Sequence, residues 1–103
     1  MPMPYFSVYA LDRPGMDERR GELRAAHRQR LRRHDHPVTV RIGGPLLGDD
    51  GGMIGSLFVI EAADRAEVER YMAGDHYVLA GVFGSVEIRK FAWGLGQPEA
   101  ASG

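Results

Sequence analysis

The chain contains no cysteine, which excludes disulfides, thiolate nucleophiles and cysteine-ligated zinc. That absence fits a reducing compartment, and a cytoplasmic protein is expected. Nowhere do about 18 apolar residues follow one another, and no basic region leads into an apolar stretch near Met1, so neither a transmembrane helix nor a signal peptide is expected. Internal repeats are lacking, as is low-complexity sequence outside the short tail. Neither sign of charge is in excess. Thirteen Lys and Arg face fourteen Asp and Glu for a net charge of −1, which offers no general attraction to nucleic acid or an anionic membrane. The length of 103 residues supports one domain and leaves no room for a second. Residues 1–94 are assigned to it and residues 95–103 to a flexible C-terminal tail.

What is present is a regular succession of strand and helix signals. Tyr5 to Leu11 is dense in aromatic and β-favouring residues and stops at Asp12-Arg13-Pro14-Gly15, a turn signal. Asp17 is placed to cap a helix running to about His34, with Leu23, Ala26, His27 and Leu31 turned inward and Pro37 closing it. Val38 to Ile42 reads as a second strand ended by Gly43-Gly44-Pro45, and Gly48 to Gly52 as the loop to a third strand, Ile54 to Ala62. Asp64 and Glu67 make a capping pair for a helix through Ala73, with Val68, Tyr71 and Met72 on its inner face. Asp75 to Gly81 is a short irregular or helical connection, and Val82 to Trp93 the last strand.

The order βαββαβ predicts an α+β, ferredoxin-like fold: a four-stranded antiparallel sheet with two helices on one face. Its other face then needs a cover. Phe6, Val8, Ile60 and Phe91 are expected there, and pairing with an identical chain buries such positions most simply, so a homodimer with sheets packed face to face is expected.

Among polar residues, His27 stands out. It lies four residues after Leu23 and four before Leu31, which at 3.6 residues per turn puts an imidazole on or beside the apolar stripe. A general base or ligand needs that placement, although a half-buried histidine bonded to a backbone carbonyl shows the same pattern. Arg24, one turn earlier, is placed to hold a substrate carboxylate, but in a helix carrying seven arginines a solvated face explains it as well. Gly43, Gly44 and Pro45 are positioned to expose backbone N–H groups, or to form a plain strand-ending turn. Ser56 can donate a hydrogen bond into a pocket, and nothing resembling a nucleophile elbow surrounds it. Tyr9, Tyr77, Phe83 and Trp93 are candidates for a pocket wall or for core. Asp75 on its own reads as a turn or helix-end residue bonding its own backbone.

Other patterns point away from binding. His34-Asp35-His36 matches no zinc signature and is explained by helix C-capping, so no metal is expected. Gly48 to Gly52 lacks the Gly-Lys-Ser/Thr ending of a phosphate loop. The helical arginines carry no interleaved aromatic stacking motif, which argues against nucleic acid.

In this order, Phe6-Ser7-Val8-Tyr9-Ala10-Leu11-Asp12, Arg24-Ala25-Ala26-His27, Gly43-Gly44-Pro45-Leu46, Gly55-Ser56 and Asp75-His76-Tyr77 followed by Ala80-Gly81-Val82-Phe83 resemble the YciI-like (YCII-related) family of dimeric α+β barrel proteins. Each motif alone is weak; their order and spacing carry the resemblance across nearly the whole domain. It implies a His and Asp pair in a pocket, which maps to His27 and Asp75. One departure is present. The family commonly has Asp-Pro-Tyr or Asp-Pro-Phe where this chain has Asp75-His76-Tyr77, so the turn loses proline's fixed φ and gains a titratable ring.

On that basis the expected function is a small cofactor-independent enzyme. His27, oriented by Asp75, would move a proton on a small carbonyl-containing or lactone-like substrate, with Arg24, Gly44, Ser56 and Tyr77 binding it. By analogy with related barrels the chemistry is of the isomerase or lyase type. The alternative is a non-catalytic dimeric module that binds a small ligand and uses His27 only as a hydrogen-bond partner. Haem or oxygen chemistry, known in other dimeric α+β barrels, is a third reading that an absorbance spectrum would settle.

Overall fold

The computed structural model describes residues 3–33 and 35–97. In chain order the elements are β1 (Tyr5–Asp12), α1 (Asp17–Leu31), β2 (Thr39–Leu47), β3 (Met53–Glu61), α2 (Arg65–Ala73), α3 (His76–Leu79) and β4 (Phe83–Phe91). The strands form one sheet in the order β2-β3-β1-β4, with every neighbouring pair antiparallel. This is the α+β ferredoxin-like arrangement that the element order predicts. Residues 98–103, most of the expected tail, lie outside the described residues, as does His34.

Period-two alternation decides which strand residues enter the core. Phe6, Val8 and Ala10 of β1 point toward the helices, beside Phe58 and Ile60 of β3, and Val68, Tyr71 and Met72 of α2 close over them. Two expectations about the sheet are corrected here. Phe6, Val8 and Ile60 are core residues rather than members of the uncovered face, because register pairs Phe6 with Ile60 and Val8 with Phe58 on the helix side. The opposite parity sets Tyr9, Leu57, Ile42 and Phe91 outward, at 45%, 36%, 46% and 38% exposure.

The second correction concerns β2, which does not stop at Gly43-Gly44-Pro45 but runs through it to Leu47, pairing Gly43 with Phe58, Gly44 with Leu57 and Pro45 with Ser56. Local propensity reads that tripeptide as a breaker, yet β2 is an edge strand, where a residue without an N–H is tolerated. Glycine is also required at 43: a Cβ there would lie 2.9 Å from the Phe58 ring.

The helix ends differ in smaller ways. Met16, not Asp17, occupies the N-cap of α1, and no side chain caps it; Asp17 and Glu18 sit in the first turn, where the helix dipole favours them. The helix ends at Leu31 rather than His34, leaving the chain free to bring Val38 into the core. Asp64 caps α2 as expected, accepting from the Glu67 N–H at 2.9 Å. The connection after Gly74 becomes the single-turn helix α3, capped by Asp75.

Candidate functional site

The face that α1 turns to the sheet is not the leucine stripe alone. Its two buried residues are Arg20 and His27, seven positions apart and therefore on the same side of the helix, while Leu23, Ala26 and Leu31 are only half buried. Taking two ionisable groups out of water requires partners for both, and each has them.

His27 meets Asp75 across the helix layer. Its Nδ1 lies 2.9 Å and 3.2 Å from the two carboxylate oxygens, and Asp75 itself is fully buried. The carboxylate is held by the turn it caps, because Oδ1 accepts the Tyr77 backbone N–H at 2.8 Å. One Asp thus starts α3 and braces the imidazole. The Tyr77 ring lies against the His27 ring, with centroids 3.9 Å apart and planes 17° from parallel, and Phe58 closes a further side at 5.8 Å. Burial raises the Tyr77 phenol above its ordinary value, so that ring stays neutral at working pH. No side chain among the described residues hydrogen-bonds His27 Nε2, and the histidine lines a cavity of about 300 Å³.

Arg20 is held as firmly. Its Nε donates to Asp12 at 2.8 Å, and its Nη2 donates to the Gly55 carbonyl at 2.7 Å and to Ser56 Oγ at 2.8 Å. The guanidinium carbon lies 4.7 Å from the Tyr77 ring centre, which ties this network to the His27 stack. Because Ser56 Oγ accepts from Arg20, its own O–H is free to donate, and Ser56 lines the cavity too.

The expected site residues therefore converge. His27, Ser56, Tyr77, Arg24 and Gly44 all border one cavity, and Asp75 stands behind His27. Gly44 does so from within a paired strand, so neither of the two readings of Gly43-Gly44-Pro45 as the end of the strand holds. Tyr9 is exposed on the opposite sheet face, and Trp93 packs edge-on against Tyr5 and Phe91; neither borders the cavity. Phe83 packs edge-on against Tyr77 and borders it no more. Of the His34-Asp35-His36 segment, His34 is outside the described residues, Asp35 pairs with Arg33 at 2.5 Å, and His36 packs on the Tyr71 ring. Sequence reasoning missed Arg20, Asp12, Arg28 and Arg32. The available signal was the seven-residue spacing from Arg20 to His27, which the density of arginine concealed.

The histidine and the carboxylate are thus buried together beneath a cavity of an α+β domain of the ferredoxin-like class. Residues 3–92 match the family model of the YCII-related domain, and the chain belongs to that family. The solved structure of 5-chloro-2-hydroxyhydroquinone dehydrochlorinase (TftG) from Burkholderia phenoliruptrix AC1100, in complex with 2,5-dihydroxybenzoquinone, is 31% identical, covers 85% of this chain and 93% of its own, and superposes with a TM-score of 0.75. The C-terminal domain of the MgtC protein from Mycobacterium tuberculosis (16% identity, 93% and 96% coverage, TM-score 0.55) and PA3566 from Pseudomonas aeruginosa (12%, 88% and 93%, TM-score 0.53) share the fold. No match is found among curated proteins. No helix among the described residues is long and apolar enough to cross a membrane.

Proposed function

We propose that the protein is a cofactor-independent enzyme in which His27 transfers a proton on a small carbonyl-containing or lactone-like substrate, in an isomerase or lyase reaction. The observation that carries this reading is the pairing of a buried Asp75 with Nδ1 of a histidine whose ring borders the cavity. A carboxylate at Nδ1 selects the tautomer with its proton there and leaves Nε2 as the base. Nε2 takes a proton from the carbon next to the carbonyl, and the electron pair moves onto the carbonyl oxygen. Ser56, whose O–H is free, is placed to donate to that oxygen as it gains charge. The imidazolium then returns the proton at another carbon, or the electron pair expels a leaving group that departs with the proton. TftG, a dehydrochlorinase by name, supports the second outcome as a class of chemistry. Tyr77 supplies the wall that fixes the imidazole plane, and Gly44 and Arg24 border the substrate.

The functional unit in this reading is a homodimer formed through the exposed sheet face of Tyr9, Leu57, Ile42 and Phe91.

Deuterium uptake from D2O into a panel of enolisable ketones, lactones and halogenated hydroquinones, followed by NMR, tests the reaction. His27→Ala is expected to lower exchange or turnover about 10²- to 10⁴-fold, and Asp75→Asn to lower it as well by releasing the tautomer. A folded His27→Ala protein with the wild-type rate, or a wild-type protein that binds ligands and exchanges none, leaves a small-ligand binding module instead.

A further inference from the structure

The arginines of α1 divide into two sets. Arg19 pairs with Glu22, Arg20 with Asp12, and Arg33 just past the helix with Asp35, while Arg30 donates to the Tyr71 carbonyl and covers its ring. Arg24, Arg28 and Arg32 have no acidic partner among the described residues, and these three border the cavity. They stand at i, i+4 and i+8, Arg24 and Arg28 in α1 and Arg32 at its C-cap, along about 12 Å. Like charges at that spacing repel one another and disfavour the helix. The cavity lining contains no carboxylate among its described residues, and its other arginines, Arg20 and Arg41, are already neutralised by Asp12 and Glu61. A chain of net charge −1 thus holds three uncompensated positive charges at one opening.

We propose that the cavity takes its substrate as a small carboxylate, whose anionic group is held by the Arg24-Arg28-Arg32 stripe while the rest of the molecule lies against His27. This rests on the proton-transfer reading for the identity of the reacting group, but the binding claim is separate from it. A guanidinium fork matches a carboxylate with two parallel hydrogen bonds, which supplies orientation as well as attraction. A cavity of about 300 Å³ lies at the small end of the range of small-molecule pockets and has room for one substituted ring. The stripe also raises the local concentration of anions, so capture is faster at low salt.

Calorimetric titration with 2,5-dihydroxybenzoate, its neutral amide and inorganic phosphate tests this. The wild-type protein is expected to bind the acid at least about tenfold more tightly than the amide, with the margin shrinking as salt is raised. The Arg24→Gln/Arg28→Gln/Arg32→Gln variant changes exposed positions to a good helix former, and there acid and amide are expected to bind alike. An acid that binds wild type no better than its amide, or a preference that survives in the triple variant, overturns the proposal. So does phosphate binding as tightly as the acid, which would assign the stripe to phosphorylated ligands. His27→Ala separates the two claims: it retains the preference for the acid if the stripe binds the anion, whether or not His27 transfers protons.

Discussion

Arg20 shows how much of this site depends on single side chains. It joins β1 to β3 through Asp12, Gly55 and Ser56, with both charged side chains of the Arg20–Asp12 pair largely buried. Removing one partner of a buried ion pair typically costs about 3–5 kcal/mol, because the other charge remains buried alone. Arg20→Ala is therefore expected to lower the unfolding free energy by about that amount, read as a lower urea midpoint, and to take away the donor to Ser56 Oγ, whereas Arg24→Ala, at an exposed position, changes stability little. Equal midpoints for the two variants would show that Arg20 has no structural part. His27 was legible in the sequence because an imidazole on an apolar stripe violates the expected pattern. Arg20 was not, since one buried arginine among seven looks like the other six.

At the scale of elements, the turn from α2 into α3 decides where Asp75 points. Asp75 has φ −68° and ψ 138°, extended values that the residue before a proline favours, and His76 occupies the first position of α3, where proline fits best. The local backbone is thus already compatible with proline at 76, and the His76 ring is not needed for the Asp75 contacts. His76→Pro is expected to keep the His27 to Asp75 pairing and the activity, and to leave thermal stability equal or slightly higher. A loss of activity in that variant would assign His76 a part in the chemistry. The strand and helix order was readable from periodicity, and Asp64 from its spacing to Glu67. The path of β2 was not, because Gly43-Gly44-Pro45 reports local preference while pairing with Phe58, Leu57 and Ser56 is a tertiary event. Which β1 residues face the core was likewise set by the register with β3, and no alternation within β1 alone distinguishes the two faces.

For the whole molecule, two properties follow from what is buried and what is not. The outer sheet face carries Tyr9, Leu57, Ile42 and Phe91 in the open, and light scattering at micromolar concentration is expected to report a dimer; a monomer would contradict the face-to-face arrangement. Alkaline behaviour follows from Tyr71 and Tyr77, whose phenols burial raises above the ordinary value of 10.0. The unfolded chain ionises them near 10 and the native state resists, so the unfolded state then binds fewer protons. Their contribution is complete below about pH 10 and is lost as pH rises through the higher folded value. Denaturation midpoints are expected to fall as pH rises above about 10, and to fall less in Tyr71→Phe and Tyr77→Phe; identical slopes would place the alkaline loss elsewhere.

The most direct measurement is the long-range proton–nitrogen NMR spectrum of the His27 imidazole at neutral pH. A proton on Nδ1, shared with Asp75, and a bare Nε2 facing the cavity are the predicted result, with Asp75→Asn disturbing that preference. A His27 that carries its proton on Nε2 under those conditions would contradict the proposed base.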